Sequence, residues 1–164
     1  MYRRELLARL KVPFEVRRPQ VEEDHRPAEE PAQRAARLAR AKAEAIAALS
    51  PTAVVIGADQ VAACGDQILD KPGNAAAARH QLRQQSGHAV QFYSAVAVLW
   101  REQAYTDCFI DLTSVVLRTL SEAEIDAYVA TDEPYDCAGA LRSESLGVSL
   151  CESIATTDPT ALVV

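Results

Sequence analysis

Short apolar runs alternate with segments of helical periodicity along the whole chain. Apolar side chains recur at helical spacing in residues 2–10 and 31–49, which predicts two helices. Residues 53–58 form an apolar run of strand length that residues 61–63 continue, and residues 90–100 and 108–117 have the pattern of two long strands. Because helical and strand segments are interspersed, the pattern predicts an α/β fold, a mixed, twisted sheet flanked by helices, within a single domain over residues 1–164.

Turn and cap residues mark the ends of several elements. Gly65-Asp66 predicts a hairpin turn into a strand at residues 67–69. Asn74 predicts the start of one helix, and Ser121 with Glu124 forms a capping box that predicts the start of another.

Three further stretches have weaker patterns. Residues 12–16 predict a short strand, and the charged residues 17–30 predict a loop. The tail from Gly139 onward has strand and loop character.

The composition of the chain limits the classes of function that it can have. The chain has 164 residues, 17 Lys and Arg against 23 Asp and Glu, and a formal charge of −6. This balance argues against a broad basic face for nucleic acid, although a few local cations suffice to bind a triphosphate.

No apolar run reaches about 18 residues, and the N-terminus lacks a secretory signal, so we expect a cytoplasmic protein that does not enter a membrane. The four cysteines form no C-x-x-C pair, and the three histidines have no ligand spacing.

Asp59 ends an apolar run on a segment predicted to be buried. A buried carboxylate requires a partner or a function. One interpretation is an aspartate that caps a turn at a strand end. The other is a general base or a metal ligand held on a rigid strand.

Lys42 interrupts the apolar face of the second predicted helix. It lies four residues after Leu38 and four before Ile46. A lysine at such a position either extends its charged end into water or points at an anion beside the sheet.

Three further cations complete a candidate phosphate site. Arg3 and Arg4 lie at the start of the first helix, and Lys71 follows the hairpin. Each is most often solvated in proteins, but together with Lys42 and Asp59 they suit hydrolysis of a phosphoanhydride. The cations offset charge on the phosphates and the aspartate activates water. A divalent cation, Mg²⁺, usually bridges the phosphates in such reactions.

Ordered motifs extend these single signals over the chain. They lie at residues 3–7 (RRELL), 13–16 (PFEV), 38–43 (LARAKA), 55–61 (VIGADQV), 71–72 (KP), 82–87, 120–128 (LSEAEIDAY) and 137–147. Their order resembles the Maf family of nucleotide pyrophosphatases over essentially the whole chain. The resemblance implies a fold like that of the Maf and inosine-triphosphatase enzymes, a homodimer, and conversion of a nucleoside triphosphate to a monophosphate and pyrophosphate.

The resemblance also implies roles for individual residues. Asp59 falls on the position of the family's catalytic base, and Glu23 on an acidic position that helps to hold the metal, with Asp59 as a second candidate ligand. The positions of the family's phosphate-binding cations are Arg3, Arg4, Lys42 and Lys71.

Three positions resemble the branch of the family that hydrolyses 7-methyl-GTP. They are Tyr2, Gln60 and Glu144. At the position of Tyr2, that branch usually has tryptophan. A guanine methylated at N7 carries positive charge, which an aromatic face such as Tyr2 attracts. Glu144 suits hydrogen bonds from the guanine N1–H and amino group. The alternative for Tyr2 is an exposed residue near the chain end.

Two expectations remain open from the sequence. Family members begin with a strand and a phosphate-binding loop and end with a helix, so the resemblance implies that the first strand and the final helix are missing here. We therefore expect a chain of this length to have low stability or activity. The alternatives to 7-methyl-GTP hydrolysis are hydrolysis of other canonical or modified nucleotides, an inactive nucleotide-binding regulator linked to septum formation, and a structural α/β module.

Overall fold

The computed structural model describes residues 2–158 and 160–162, apart from the side chain of Tyr2. Its α-helices are α1 (Tyr2–Ala8), α2 (Pro31–Ala47), α3 (Ala75–Gln85) and α4 (Glu122–Asp132). Its strands are β1 (Val54–Cys64), β2 (Gln67–Leu69), β3 (Ala89–Trp100), β4 (Tyr105–Leu117) and β5 (Cys151–Ala155). Short 3₁₀ turns lie at Arg101–Gln103, Ala138–Ala140 and Leu146–Leu150. No described helix is long and apolar enough to cross a membrane.

The strands form one sheet in the order β2-β1-β3-β4-β5. β1 and β2 pair antiparallel with Cys64 opposite Gln67, across a turn in which Gly65 has φ of 55°. This left-handed conformation favours glycine, as the predicted hairpin requires. β4 and β5 also pair antiparallel, with Val115 opposite Ile154. Helices flank the sheet, so the predicted α/β class is confirmed.

The predicted helix caps are confirmed. The Asn74 side chain accepts a hydrogen bond from the backbone N–H of Ala77 at the start of α3. At α4, the Ser121 hydroxyl accepts from the N–H of Glu124, while the Glu124 carboxylate accepts from the N–H of Ser121. These bonds satisfy backbone donors that a helix start leaves without a partner.

The predicted strand at residues 12–16 is wrong. After α1, Lys11 adopts φ of 56°, and the structure has no regular secondary structure from there to α2. Pro13 has no N–H to donate to a ladder, and Val12 and Val16 are exposed. Residues 12–16 therefore pair with no other strand among the described residues.

The chain divides into two compact units. The first contains the described residues up to Gln60 together with Ser94–Ile110. Its buried residues include small side chains on one face of α2, namely Ala35, Ala39, Ala43 and Ala47. Leu38 of the same helix and Val55 of β1 are also buried. This unit contains α1, α2 and the beginning of β1.

The second unit contains residues 61–93 and the described residues from Asp111 onward. Its core includes the fully buried side chains of Leu82 on α3, Phe92 on β3, Leu117 on β4 and Val129 on α4. The Tyr128 hydroxyl is buried too and donates to the carbonyl oxygen of Ala140. That the whole chain is one domain stays a prediction.

Candidate active site

The site begins with a close approach of α2 to β1 at Gly57. A Cβ added to Gly57 would lie 2.4 Å from the carbonyl oxygen of Ala39 and 2.6 Å from the backbone nitrogen of Ala43. Both distances are too short for any side chain, so only glycine permits this packing. The helix backbone therefore lies against the strand, within reach of the neighbouring strand residues.

Asp59 points from β1 to the same side as Gly57. Burial alternates along the strand, and Val55, Gly57 and Asp59 are the buried positions of this stretch. Only 8% of Asp59 is exposed. The strand continues to Cys64, so Asp59 lies within it and is not a turn cap at its end. The turn-cap interpretation is therefore wrong, and the role of general base or metal ligand stays a prediction.

That partner is Lys42 of α2. Its Nζ lies 2.5 Å from Oδ1 of Asp59 and 2.7 Å from Oε1 of Glu23. Glu23 belongs to the irregular segment before α2, and its side chain is about half exposed. One ammonium group therefore joins two carboxylates from different parts of the first unit, and the lysine does not simply extend into water.

The surroundings of Asp59 and Lys42 shift the pKa values of both side chains. Burial raises the pKa of Asp59, and the hydrogen bond from Lys42 opposes that shift without cancelling it. Burial acts to lower the pKa of Lys42, but its hydrogen bonds to Asp59 and Glu23 outweigh burial, so the pKa of Lys42 is raised. Lys42 thus stays cationic, while Asp59 accepts a proton more readily than an exposed aspartate does, as a general base requires.

Arg3 adds a second cation to this site. Its Nη1 donates a hydrogen bond of 3.2 Å to the carbonyl oxygen of Ala58, next to Asp59. Burial lowers the pKa of Arg3, and the negative charge of Asp59 opposes this shift. Arg4 is exposed on the same helix, and the side chain of Tyr2 lies outside the described residues.

The remaining predicted site residues are divided between the two units. Gln60 follows Asp59 on β1, and its Nε2 donates a hydrogen bond of 2.9 Å to Oγ of Ser94. Lys71 and Glu144 belong to the second unit. Lys71 is exposed. Oε1 of Glu144 is buried without a hydrogen-bond partner among the described residues, so this carboxylate keeps an unused acceptor. The predicted roles of all these residues stay predictions.

Comparison with known proteins shows the family of the chain. Residues 1–163 match the family model described as Maf-like protein. The chain belongs to the Maf family. Its relatives include proteins named 7-methyl-GTP pyrophosphatase. The relative from Albidiferax ferrireducens is 52% identical over 99% of this chain and 81% of its own length. The one from Bordetella pertussis is 49% identical over 99% of this chain and 80% of its own length. The relative from Cupriavidus metallidurans is 47% identical over 99% of this chain and 81% of its own length.

Two carboxylates of this Maf-family chain, those of Glu23 and Asp59, lie close together. Mg²⁺ prefers oxygen ligands and typically takes one or two protein carboxylates, with water and substrate phosphates completing its shell. Glu23 and Asp59 form such a pair, since both contact a single cation, Lys42. Among the described residues, no group of three or more His, Cys, Asp or Glu is placed to hold a metal ion.

Two features of the candidate site were not predicted from the sequence. The first is the close contact at Gly57, which its place in an apolar run did not indicate. The second is the pair of α2 arginines, Arg34 and Arg37, which contact the segment that carries Glu23. For Arg34 the sequence held a clue to this contact. Arg34 and Lys42 lie about two helical turns apart on one face of the predicted helix.

Proposed function

We propose that this protein hydrolyses 7-methyl-GTP to 7-methyl-GMP and pyrophosphate. The observation that carries the proposal is the buried Asp59 carboxylate, held 2.5 Å from Lys42 and close to Arg3. This arrangement supplies a general base with raised pKa beside cations that bind phosphate. The relatives named 7-methyl-GTP pyrophosphatase, about half identical to this chain, support the substrate.

The reaction adds water across the anhydride bond between the α and β phosphates. Asp59 orients the water and takes its proton as the oxygen attacks phosphorus. The anhydride bond breaks, the electron pair leaves with pyrophosphate, and the monophosphate keeps the oxygen of water. The proton held by Asp59 then returns to solvent.

Cations of the site stabilise the charge that develops in this step. Lys42 and Arg3 lie beside Asp59, and in the proposal Arg4 and Lys71 bind the outer phosphates. Donors already held in place stabilise a transition state without reorganising during the reaction.

Glu23 and Asp59 are the residues that would hold a divalent cation, Mg²⁺. When bound, the ion would neutralise phosphate charge and make the phosphorus more electrophilic.

Base selection belongs to Tyr2, Gln60 and Glu144 in this proposal. Glu144 has a buried acceptor oxygen without a partner among the described residues, which suits the N–H donors of guanine. Its negative charge also complements the cationic ring of a 7-methylguanine. The hydrogen bond to Ser94 orients the Gln60 amide.

The test is release of pyrophosphate by the purified chain with Mg²⁺ and 7-methyl-GTP, GTP, dTTP, UTP or CTP. The proposal expects preferential hydrolysis of 7-methyl-GTP that Asp59→Asn abolishes. Preference for another nucleotide would assign a different substrate to the same chemistry. Nucleotide binding without hydrolysis would point instead to a regulator.

Homodimerisation and a cytoplasmic location also remain part of the proposal. Light scattering on the purified protein tests the first, and fractionation of cells expressing it tests the second.

A further inference from the structure

Glu23 lies in a segment that has no regular secondary structure. Between Ala8 at the end of α1 and Pro31 at the start of α2, no helix or strand ladder holds the backbone. A residue in such a segment ordinarily moves with it. Yet the Glu23 carboxylate lies 2.7 Å from Lys42, so other contacts must fix this part of the chain.

Arg34 of α2 makes the first of these contacts. Its Nη2 donates a hydrogen bond of 3.2 Å to the carbonyl oxygen of Glu23. Its Nη1 lies 2.8 and 2.7 Å from the two ring nitrogens of His25. Only 7% of Arg34 is exposed, so the guanidinium is held by its surroundings and does not sample solvent.

Arg37 makes the second contact, one turn further along α2. Its Nη2 donates a hydrogen bond of 3.0 Å to the carbonyl oxygen of Asp24. The same guanidinium is fixed by Glu29, with distances of 2.5 and 2.7 Å to its two carboxylate oxygens. A bidentate ion pair of this kind sets the orientation of the guanidinium plane as well as its position.

These contacts make α2 a continuous support for Glu23. Arg34 and Arg37 hold the backbone of residues 23 and 24, and Lys42 holds the Glu23 carboxylate. We propose that Arg34 and Arg37 are positioning residues, which hold residues 23–25 on α2 so that the Glu23 carboxylate stays at Lys42 and Asp59. The inference rests on the proposed function, in which Glu23 holds the divalent cation.

Loss of either arginine should therefore act through the position of Glu23. Substitution of groups that orient metal ligands typically costs 10- to 100-fold in metal affinity or activity. We expect kcat to fall about 10-fold, the Mg²⁺ concentration for half-maximal rate to rise about as much, and KM for the nucleotide to change little.

The experiment compares Arg34→Met and Arg37→Met with Arg83→Met. Arg83 forms the same kind of bidentate ion pair, but its partner is Glu122 on α4. Hydrogen exchange of the backbone at residues 18–30 is measured without nucleotide, and kcat, KM and Mg²⁺ dependence are measured on 7-methyl-GTP. If burial makes Arg34→Met unfold, the more exposed Arg37→Met decides the result.

The inference expects faster exchange at residues 18–30 together with lower kcat and a higher Mg²⁺ requirement, in contrast to Arg83→Met. Unchanged exchange overturns it, whatever the kinetics. Faster exchange with unchanged kcat and Mg²⁺ requirement also overturns it, because the segment would then be held without consequence for the reaction. If the unsubstituted protein hydrolyses no 7-methyl-GTP, the proposed function fails instead, and exchange alone decides whether the arginines hold the segment.

Discussion

Nζ of Lys42 lies 2.5 Å from Oδ1 of Asp59, although the two residues are 17 positions apart. The contact depends on Gly57, which lets the backbone of α2 approach β1 closely enough for a helix side chain to reach the strand. The same ammonium group also contacts Glu23. A small set of backbone and side-chain contacts thus assembles the part of the site that carries the proposed chemistry.

Removal of the Lys42 charge should abolish most of the activity. Lys42→Met leaves Asp59 and Glu23 without the cation that joins them, and removes a stabilising charge from the phosphates. Loss of one such group typically lowers kcat by about 10²–10³-fold. The rate of pyrophosphate release from 7-methyl-GTP measures the effect. Arg40→Met, an exposed change on the same helix, is the control, and equal rates in the two variants would contradict the role of Lys42.

Removal of the Glu23 carboxylate should raise the metal requirement without removing the base. Glu23→Gln keeps the shape of the side chain and leaves Lys42 paired with Asp59. We expect the Mg²⁺ concentration for half-maximal rate to rise about 10-fold, since a hard cation loses a charged oxygen ligand. Initial rates over a Mg²⁺ titration test this. Glu22→Gln is the matched neighbour, and a shift of the same size there would show only an effect of net charge.

Addition of a methyl group at Gly57 should separate α2 from β1. Gly57→Ala brings a Cβ to about 2.4 Å from the carbonyl oxygen of Ala39, so the backbone must shift. Overpacking of this kind costs about 1–3 kcal/mol in the free energy of unfolding. Urea unfolding and pyrophosphate release measure stability and activity together. Ile56→Ala, at an exposed neighbouring position, should change both much less, and wild-type behaviour of Gly57→Ala would exclude the close packing.

Substitution of Ser121 should weaken the α4 cap and change the pH dependence of stability. Hydrogen bonds from the backbone and hydroxyl of Ser121, and from Arg118, lower the pKa of Glu124 from 4.5 to about 2. Because the folded pKa is depressed, this contribution to stability is present above pH 4.5 and is lost as pH falls through about 2.

Ser121→Ala removes the hydroxyl, so we expect the pKa of Glu124 to rise and Tm at neutral pH to fall by about 2–4 °C. The difference from the unsubstituted protein should shrink as pH falls through that window. Thermal unfolding from pH 7 to pH 2 tests this, with Thr119→Ala as control. A pH-independent difference would mean that Glu124 is not involved.

Substitutions at Gln60 and Glu144 should alter base preference and leave phosphate chemistry intact. For Glu144→Gln we expect the ratio of kcat/KM for 7-methyl-GTP over GTP to fall about 10-fold or more, because a charge-assisted hydrogen bond is lost. Gln60→Thr should reduce the same ratio. The exposed Glu152→Gln is the control. An unchanged ratio in both site variants would remove them from base selection.

Local sequence signals predicted most elements of the fold. The caps at Asn74 and Ser121 act within four residues, and the Gly65 hairpin is equally local, so both could be predicted without knowledge of tertiary contacts. The strand predicted at residues 12–16 failed for the opposite reason. A strand requires a partner, and whether a partner is available is decided elsewhere in the chain.

The sequence by itself determined that Asp59 and Lys42 are charged residues on apolar segments, and its ordered motifs identified the Maf family. Only the tertiary structure decided that these two charges meet, that Glu23 joins them, and that Arg34 and Arg37 hold the segment from which Glu23 reaches Lys42. Periodicity specifies which face of an element is buried. The distance between two such faces depends on packing at individual positions such as Gly57, and no local pattern contains that information.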